Sequence, residues 1–191
     1  MPNFVAIPGS SDDPRSLRTR DALAGALIAL MQERGYNEIS VQDICERAAV
    51  GRSTFYAHFA DKDEMFIRHT VVFARMMGEQ LVWDVARESY QFPAAYMFDH
   101  VRQMRRVFES LASARMLEFI LKVWQRNLAE IFVQRVRGAR NGAKAAVPAE
   151  ILAYQLAGSL ITLITWWMDH HYPHDAAQMD AHFHHLVAGL R

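Results

Sequence analysis

The chain has 191 residues, of which 51% are hydrophobic and 22% are charged, the proportions of a globular protein with a sizeable core. Its 21 basic and 21 acidic side chains give a formal net charge of zero, so the chain as a whole lacks the strong positive charge of a general nucleic-acid binder. The single cysteine, Cys45, excludes an internal disulfide, and we expect it to be a small buried side chain.

Residues 1 to 14 contain three prolines and no long apolar run, which is unlike a secretory signal peptide. We expect these residues to form a mobile N-terminal arm on a cytoplasmic protein. An apolar stripe at helical spacing then predicts a first helix, which ends near Gly35.

The stretch from Ser40 to Lys62 predicts two short helices, a tight turn and the start of a third helix. Ser40 suits the N-cap of the first helix, and Asp43 stands three residues later, where an acid can complete a capping box. The small residues from Ala48 to Gly51 suit a turn between closely packed helices. The second helix is predicted from Arg52 to Phe59. Two helices joined in this way form a helix-turn-helix, whose second helix enters the major groove of DNA.

This second helix has an anchoring side and a polar side. Phe55 and Phe59 are four residues apart and point together, toward the core. On the other side, we expect Arg52 to donate two hydrogen bonds to a guanine and Ser53 to offer its hydroxyl to a base edge. The residues predicted to contact phosphate are Thr54, Tyr56, His58 and Lys62, and Ser40 completes the predicted DNA-binding set.

The charge of this region is not basic overall, since residues 1 to 65 hold 7 basic and 10 acidic side chains, a net of −3. This balance counts against DNA binding. The placement of the charges favours it, because no acid lies between Glu46 and Asp61. We therefore expect a modest non-specific affinity for DNA.

At these positions the sequence resembles the TetR family of transcriptional regulators, whose helix-turn-helix carries a T-x-Y pair, a following H-F and a lysine after the next cap. The resemblance covers residues 18 to 66 and departs from the family at Gly51 and Ser53, where a capping serine or threonine and a glycine are common. Both departures bear on which operator is read. The matching residues are Thr54, Phe55, Tyr56, His58, Phe59 and Lys62.

The resemblance implies an all-α fold, in which a three-helix DNA-binding head is joined by a long helix to a helical ligand-binding and dimerisation domain. It also implies a homodimer that regulates transcription from a pseudo-palindromic operator in double-stranded DNA. We expect a repressor that a small-molecule effector releases from the operator, with no cofactor and no enzymatic activity.

The long helix is predicted from the apolar pattern that continues after Asp61 to about Glu88, a length on the order of 40 Å at 1.5 Å per residue. We place the domain boundary within it, near Arg68. The predicted domains are the arm at residues 1 to 14, the DNA-binding head at 15 to 67 and the regulatory domain at 68 to 191.

The run from Pro93 to Arg137 is rich in aromatic and methionine side chains. Such a cluster either fills a core or lines a small-molecule pocket, and composition does not separate the two. The family resemblance implies a pocket here, and His100 and Gln103 are polar residues suited to orient a ligand. The candidate ligand-binding residues are His100, Gln103, Met104, Phe108, Phe119 and Trp124.

After a predicted loop at residues 138 to 144, Pro148 opens the most apolar helix, with no charge from Ile151 to Met168. These 18 residues just reach the length of a membrane span, but polar residues recur through them and no basic anchor flanks them. We therefore predict a helix that protein buries and no contact with a membrane. Gly158 and Thr162 would allow close approach of another helix.

The last predicted helix, capped by Asp175, is amphipathic, with an apolar stripe that ends at Leu190. With the preceding helix it resembles the family's dimerisation surface, in which two helices from each subunit form a four-helix bundle. The predicted interface residues are Gly158, Thr162, Trp166, Met179, Phe183, Leu186 and Val187.

Six of the nine histidines lie between His170 and His185, which raises the alternative of a metal site. Pro173 interrupts them and no carboxylate completes a recognised ligand set, so a solvated polar surface is favoured and we expect no metal. The alternative function is an all-helical metal-binding protein or an enzyme that does not act on DNA. The sequence shows no nucleophile with a base, no phosphate-binding loop and no HExxH pair to support an enzyme.

Overall fold

The computed structural model describes residues 13 to 140 and 146 to 188. Nearly all of the predicted N-terminal arm, Leu190 and most of the predicted loop at 138 to 144 lie outside the described residues. Within them the chain forms helices and one small hairpin, which confirms the all-α prediction. The elements are α1 (Pro14–Met31), α2 (Val41–Ala48), α3 (Arg52–His58), α4 (Lys62–Gly78), β1 (Val82–Asp84), β2 (Ser89–Gln91), α5 (Ala94–Gln103), α6 (Arg105–Ser113), α7 (Leu117–Arg140), α8 (Ala149–Asp169) and α9 (Ala176–Val187).

The helices group into two compact units. The first contains the chain up to Phe73 together with Arg105–Ile120, and the second contains Ala74–Met104 and the chain from Leu121 onward. The boundary that we predict near Arg68 stays a prediction, since the grouping of contacts divides the chain a few residues later, within α4. It also adds α6 to the unit that carries the helix-turn-helix.

In the first unit, α1 packs against α2 and α6, because its apolar stripe faces them. Leu23 and Leu27 of α1, Ile44 of α2 and Phe55 of α3 are fully buried in this core. Cys45 is buried beside them, as predicted. A short 3-10 helix at Tyr36–Glu38 connects α1 to α2.

The predicted long helix is wrong in its length, because α4 ends at Gly78 instead of continuing to Glu88. Its 17 residues span about 25 Å at 1.5 Å per residue. A Cβ atom on Gly78 would lie 2.9 Å from Cβ of Ile131, so a side chain does not fit at the last position of α4. The antiparallel hairpin of β1 and β2 follows, with the rings of Trp83 and Tyr90 paired at 4.9 Å.

The core of the second unit is aromatic. Phe98 of α5 meets Trp167 of α8 edge to face at 5.3 Å between ring centroids, and Phe92 lies 6.2 Å from Phe183 of α9. Since α5 packs against both α8 and α9, the apolar stripe of α9 serves the core of its own unit.

The most apolar helix is α8, and it has the length and composition of a membrane span, with a mean hydropathy of 1.4 in its most apolar window. This is weak evidence, because the core helix of a soluble protein has the same properties. Nine of its side chains, Trp167 among them, are buried by protein. The burial agrees with the prediction of a helix covered by protein.

Candidate DNA-binding site

The first helix of the predicted pair begins at a fixed residue because Ser40 and Asp43 cap it reciprocally. The Ser40 hydroxyl accepts from the backbone N–H of Asp43 at 3.2 Å, and the Ser40 N–H donates to the Asp43 carboxylate at 2.8 Å. The predicted capping box is therefore confirmed. Hydrogen bonds from Ser40, with a further one from Arg34, hold the pKa of Asp43 well below its usual range. The Ser40 hydroxyl also donates a hydrogen bond to the Asp43 carboxylate, at 2.6 Å.

The turn between the two helices falls at the predicted small residues, but its left-handed residue is Ala49, with φ of 53°. Gly51 has an extended backbone and is the N-cap of α3, where it offers no side-chain acceptor. An alanine in the left-handed region is strained, because its Cβ approaches the carbonyl oxygen. The packing of α2 against α3, on either side of the turn, holds Ala49 in this conformation.

The two sides of α3 are those predicted. Phe55 and Phe59 are buried, with ring centroids 5.8 Å apart, and they fix the helix to the core. Arg52, Ser53, Thr54 and Tyr56 are exposed, and His58 is partly exposed. The ring of Tyr56 stands edge-on to Phe55 at 5.4 Å and is half exposed. A short helix with a solvent-facing polar side and an aromatic anchor fits a major groove.

Lys62 makes contacts that the sequence did not reveal. Its ammonium donates to the backbone oxygens of Tyr36 and Ile39, at 2.7 and 2.8 Å, and lies 4.4 Å from the centre of the Tyr36 ring. Burial lowers the pKa of Lys62. Because an ammonium has three N–H donors, one remains for the predicted phosphate contact. Backbone acceptors leave no mark in a sequence, so no sequence signal pointed to this role.

Two other cations of the first unit are paired with acids beside the helix-turn-helix. Arg47 of α2 makes a bidentate pair with Glu33, at 2.9 and 2.8 Å, and Arg34 lies 2.9 Å from Asp43. The hydrogen bond with Arg47 lowers the pKa of Glu33. In the part of the chain that the structure describes, Arg52 forms no ion pair. Its guanidinium is therefore available to an external acceptor.

The six candidate ligand-binding residues do not share one unit. Phe108 and Phe119 belong to the first unit, and Phe119 is half exposed. The others belong to the second unit, where the buried Trp124 has its ring centroid 6.2 Å from that of His100. Gln103 is exposed at the C-terminal end of α5, and Met104 follows it. Their ligand-binding roles stay predictions.

The predicted dimer interface needs a correction on α9. Met179, Phe183 and Val187 are buried within their own unit, so their side chains are not available to a second subunit. An apolar stripe on a helix predicts that this side of the helix is buried, but it does not predict whether the same subunit or a second subunit buries it. Leu186 is exposed and lies on the other side of α9.

The exposed side of α8 is apolar, and it contains most of the rest of the predicted interface. Thr162 and Trp166 are exposed there, as are Ile151 and Tyr154, which the sequence analysis did not single out. An open groove of about 940 Å³ runs along this side and includes Gly158, with Gln125 and Leu186 also in its wall. The role of this surface as an interface stays a prediction.

The histidines near the end of α8 gather around an aromatic ring. His170 stacks on Trp166 at 4.5 Å between ring centroids, and His174 lies between Trp166 and His182, at 6.2 and 5.2 Å. In residues 13 to 140 and 146 to 188, no group of three or more His, Cys, Asp or Glu side chains is arranged to hold a metal ion.

Comparison with known proteins adds a match over the helix-turn-helix. The model of the bacterial regulatory proteins of the tetR family matches residues 23 to 68, the region of the capping box and the reading helix. Residues 23 to 68 are therefore similar to the DNA-binding region of tetR-family regulators. The matched region ends within α4, so the match does not extend to the second unit.

Two curated relatives, both named as HTH-type regulators, match part of the chain. The uncharacterized HTH-type transcriptional regulator YxbF of Bacillus subtilis (strain 168) is 36% identical over 66 residues, which are 31% of this chain and 17% of YxbF. The activator of the dhaKLM operon, DhaS of Lactococcus lactis, is 39% identical over 51 residues, or 27% of each chain. The likeness therefore spans less than a third of either relative.

Solved structures extend the likeness in fold to nearly the whole chain. A TetR transcriptional regulator from Streptococcus agalactiae 2603V aligns with a TM-score of 0.57 at 23% identity, over 92% of this chain and 96% of that chain. The dihydroxyacetone kinase operon activator DhaS aligns with a TM-score of 0.61 at 16% identity, over 88% and 93% of the two chains. At these identities the alignments show the fold alone.

Proposed function

We propose that this protein is a sequence-specific DNA-binding transcriptional regulator that acts in the cytoplasm as a homodimer on a pseudo-palindromic operator. It represses transcription while it is bound to the operator, and a small-molecule effector releases it. The relative DhaS is named as an activator, so similarity alone does not decide between activation and repression, and repression is part of the proposal.

The observation that carries the proposal is the exposed polar side of α3 above its two buried phenylalanines. Arg52 stands at the N-terminal end of this helix without an ion pair among the described residues, and its planar guanidinium matches the two acceptors of a guanine. Ser53 is exposed beside it. The match to the tetR-family model supports the same role, since the matched segment contains the whole helix-turn-helix.

The proposal of a homodimer is supported by the exposed apolar side of α8. Ile151, Tyr154 and Trp166 expose 60%, 51% and 41% of their surface, and they follow one another along a single helix. Large apolar side chains exposed on one side of a helix are typical of a protein interface. One short α3 reads few base pairs, and a twin one helical turn of DNA away doubles the site that is read.

The effector is the part of the proposal that rests on the resemblance to the TetR family rather than on a described site. Among the candidate residues, His100 and the buried Trp124 of the second unit have ring centroids 6.2 Å apart. The test is a screen for small molecules that raise the melting temperature of the protein. Stabilising molecules that leave operator binding unchanged would count against coupling between the effector and DNA.

The central test is selection of bound DNA from a random pool by the full-length protein. The expected result is an inverted repeat whose half-sites contain a guanine read by Arg52, with half-site centres one helical turn apart or a multiple of it. The matched control is the same selection with Arg52→Ala, which should lose the preference at that guanine. Recovery of no common sequence by the native protein would contradict the proposal.

The alternative of a metal-binding protein is tested by the metal content of protein purified without a histidine tag. His170 and His182 both lie near His174, but no described group of three ligands supports the alternative. A stoichiometric metal together with no selected DNA sequence would favour it.

A further inference from the structure

A buried hydrogen bond joins two parts of the first unit that are 74 residues apart in the chain. The hydroxyl of Ser110, on α6, accepts from the backbone N–H of Tyr36 at 2.7 Å. Ser110 is 9% exposed and Tyr36 is 1% exposed, so water does not replace this acceptor. A second contact, from Arg106 of α6 to the backbone oxygen of Gln32 at 3.1 Å, holds the same connection between α1 and α2.

The other side of this connection is held by α4. The Lys62 ammonium binds the carbonyl oxygens of Tyr36 and Ile39, and the Tyr36 hydroxyl donates to the Asp63 carboxylate at 2.6 Å. Burial, together with the bond to Asp63, raises the pKa of Tyr36, which keeps the hydroxyl protonated as a donor. Residues 36 to 39 are therefore clamped between α4 and α6.

This clamp ends where the DNA-reading pair begins. Ile39, whose carbonyl binds Lys62, is followed directly by Ser40, the N-cap of α2. From Ser40 the chain has eight residues of helix, the left-handed turn at Ala49 and then α3. A displacement of residues 36 to 39 thus displaces the start of α2 and, with it, the helix that carries Arg52.

We propose that Ser110 is a positioning residue for the DNA-reading helices, acting through the backbone N–H of Tyr36. The inference rests on the proposed function. It makes operator affinity dependent on the docking of α6, a helix that has no residue in the helix-turn-helix. Among the described residues, two side chains accept hydrogen bonds from Tyr36, namely Asp63 and Ser110. Asp63 is on α4, so Ser110 is the acceptor that lies outside α4.

Ser110 affects the position of these helices because a buried N–H group without a hydrogen-bond acceptor costs free energy. Without the Ser110 oxygen, the Tyr36 N–H is buried and unpaired, so the segment opens toward water to satisfy it. Hydrogen bonds to base edges depend steeply on direction, whereas a phosphate attracts a cation over a broad range of geometries. Displaced reading helices therefore lose specific affinity more than non-specific affinity.

The test compares Ser110→Ala with Ser113→Ala in the full-length protein. Ser113 is the matched control, because it lies one turn further along α6 and its hydroxyl bonds to the carbonyl of Glu109 in its own helix. Three quantities are measured: affinity for the selected operator, affinity for unrelated DNA of the same length, and the hydrogen-exchange rate of the Tyr36 amide.

For Ser110→Ala we expect operator affinity to fall about tenfold, affinity for unrelated DNA to stay within about twofold, and the Tyr36 amide to exchange at least about tenfold faster. Ser113→Ala should match the native protein in all three. Ser110→Thr, which keeps the hydroxyl, should restore slow exchange and operator affinity together.

Unchanged operator affinity in Ser110→Ala would overturn the inference, even if the amide exchanged faster. Equal losses on operator and unrelated DNA would also overturn it, because they indicate general destabilisation. Failure of the native protein to select any sequence would overturn the proposed function and this inference with it. If the native protein selects a DNA sequence and Ser110→Ala binds that sequence equally well, this inference alone would be overturned.

Discussion

The carboxylate of Asp180 accepts a hydrogen bond from the backbone N–H of Ala95 at 2.8 Å, across 85 residues of chain. Ala95 lies in the first turn of α5, whose N-cap, Pro93, supplies no side-chain acceptor. Nε2 of His184 accepts from the backbone N–H of Phe92 at 3.3 Å, just before the same helix. The start of α5 is thus capped by side chains of α9 instead of by its own sequence.

Asp180→Ala should lower the free energy of unfolding by about 1 to 2 kcal/mol, since it leaves a helix N-terminus without its acceptor. Denaturant unfolding measures the change. Asp180→Asn retains an oxygen acceptor and should lose less. Asp169→Ala, at the exposed end of α8, is the control and should stay close to the native value. Equal losses in Asp180→Ala and Asp169→Ala would argue against the cap.

Arg52→Ala should weaken operator binding by about 1 to 3 kcal/mol and relax the preference at one position of each half-site. Binding to the operator and to operators changed at that position measures both effects. Arg47→Ala is the matched control, because Arg47 is already paired with Glu33, and it should cost less and leave the preference intact. A uniform loss across all sequences would assign Arg52 to phosphate instead.

Lys62→Ala should weaken binding to every DNA sequence and lower the slope of log affinity against log salt by about one. Operator binding should fall further than binding to unrelated DNA, because residues 36 to 39 also lose two of the hydrogen bonds that hold them. It should also lower the unfolding free energy by about 1 kcal/mol or more, because two carbonyl oxygens lose their donor. Salt titrations and denaturant unfolding separate the two roles. A lower stability with an unchanged salt slope would leave Lys62 with the holding role only.

Thr162→Glu should give a monomer or an aggregate and abolish operator binding, since it places a charge on the exposed side of α8. Gly158→Glu should do the same, but its Cβ would also lie 3.3 Å from Nε2 of Gln125 in its own subunit, so Thr162 is the cleaner position. Sedimentation measures the state of assembly. Gln134→Glu, exposed on α7, should remain a dimer. A native monomer at micromolar concentration would disprove this interface.

The unfolding free energy should fall as the pH falls from about 6.5 toward 4, because of His69 in α4. Burial lowers the pKa of His69 to about 4. Between these two pH values the His69 side chain is protonated in the unfolded chain and neutral in the folded chain. Lowering the pH therefore favours unfolding by up to about 3 kcal/mol. Stability measured against pH tests this, with His69→Gln as the comparison. The same slope in both proteins would show that other groups cause it.

The head was predicted closely from the sequence because its signals are local. The cap at Ser40, its partner Asp43 and the spacing of Phe55 and Phe59 lie within a few residues of what they control. The end of α4 was not predictable in the same way. The helix ends at Gly78, whose packing neighbour Ile131 is more than 50 positions away, and no local pattern connects the two residues.

The partners of a side chain were the least predictable feature of the candidate site. The amphipathic stripe of α9 correctly indicated burial, but Phe183 is buried against Phe92 of its own unit and not against a second subunit. Lys62 was assigned to phosphate by its position, while its nearest acceptors are carbonyl oxygens of the connection before α2. Both cases depend on the folded neighbourhood rather than on the residue type.

The membership of α6 in the first unit sets the limits of any minimal DNA-binding fragment. An N-terminal fragment that ends at Phe73 omits α6 and leaves the amide of Tyr36 without Ser110. Such a fragment would report the weakness of an incomplete fold and not the affinity of the intact head. A fragment that also retains residues 105 to 120 keeps the Ser110 acceptor of the Tyr36 amide.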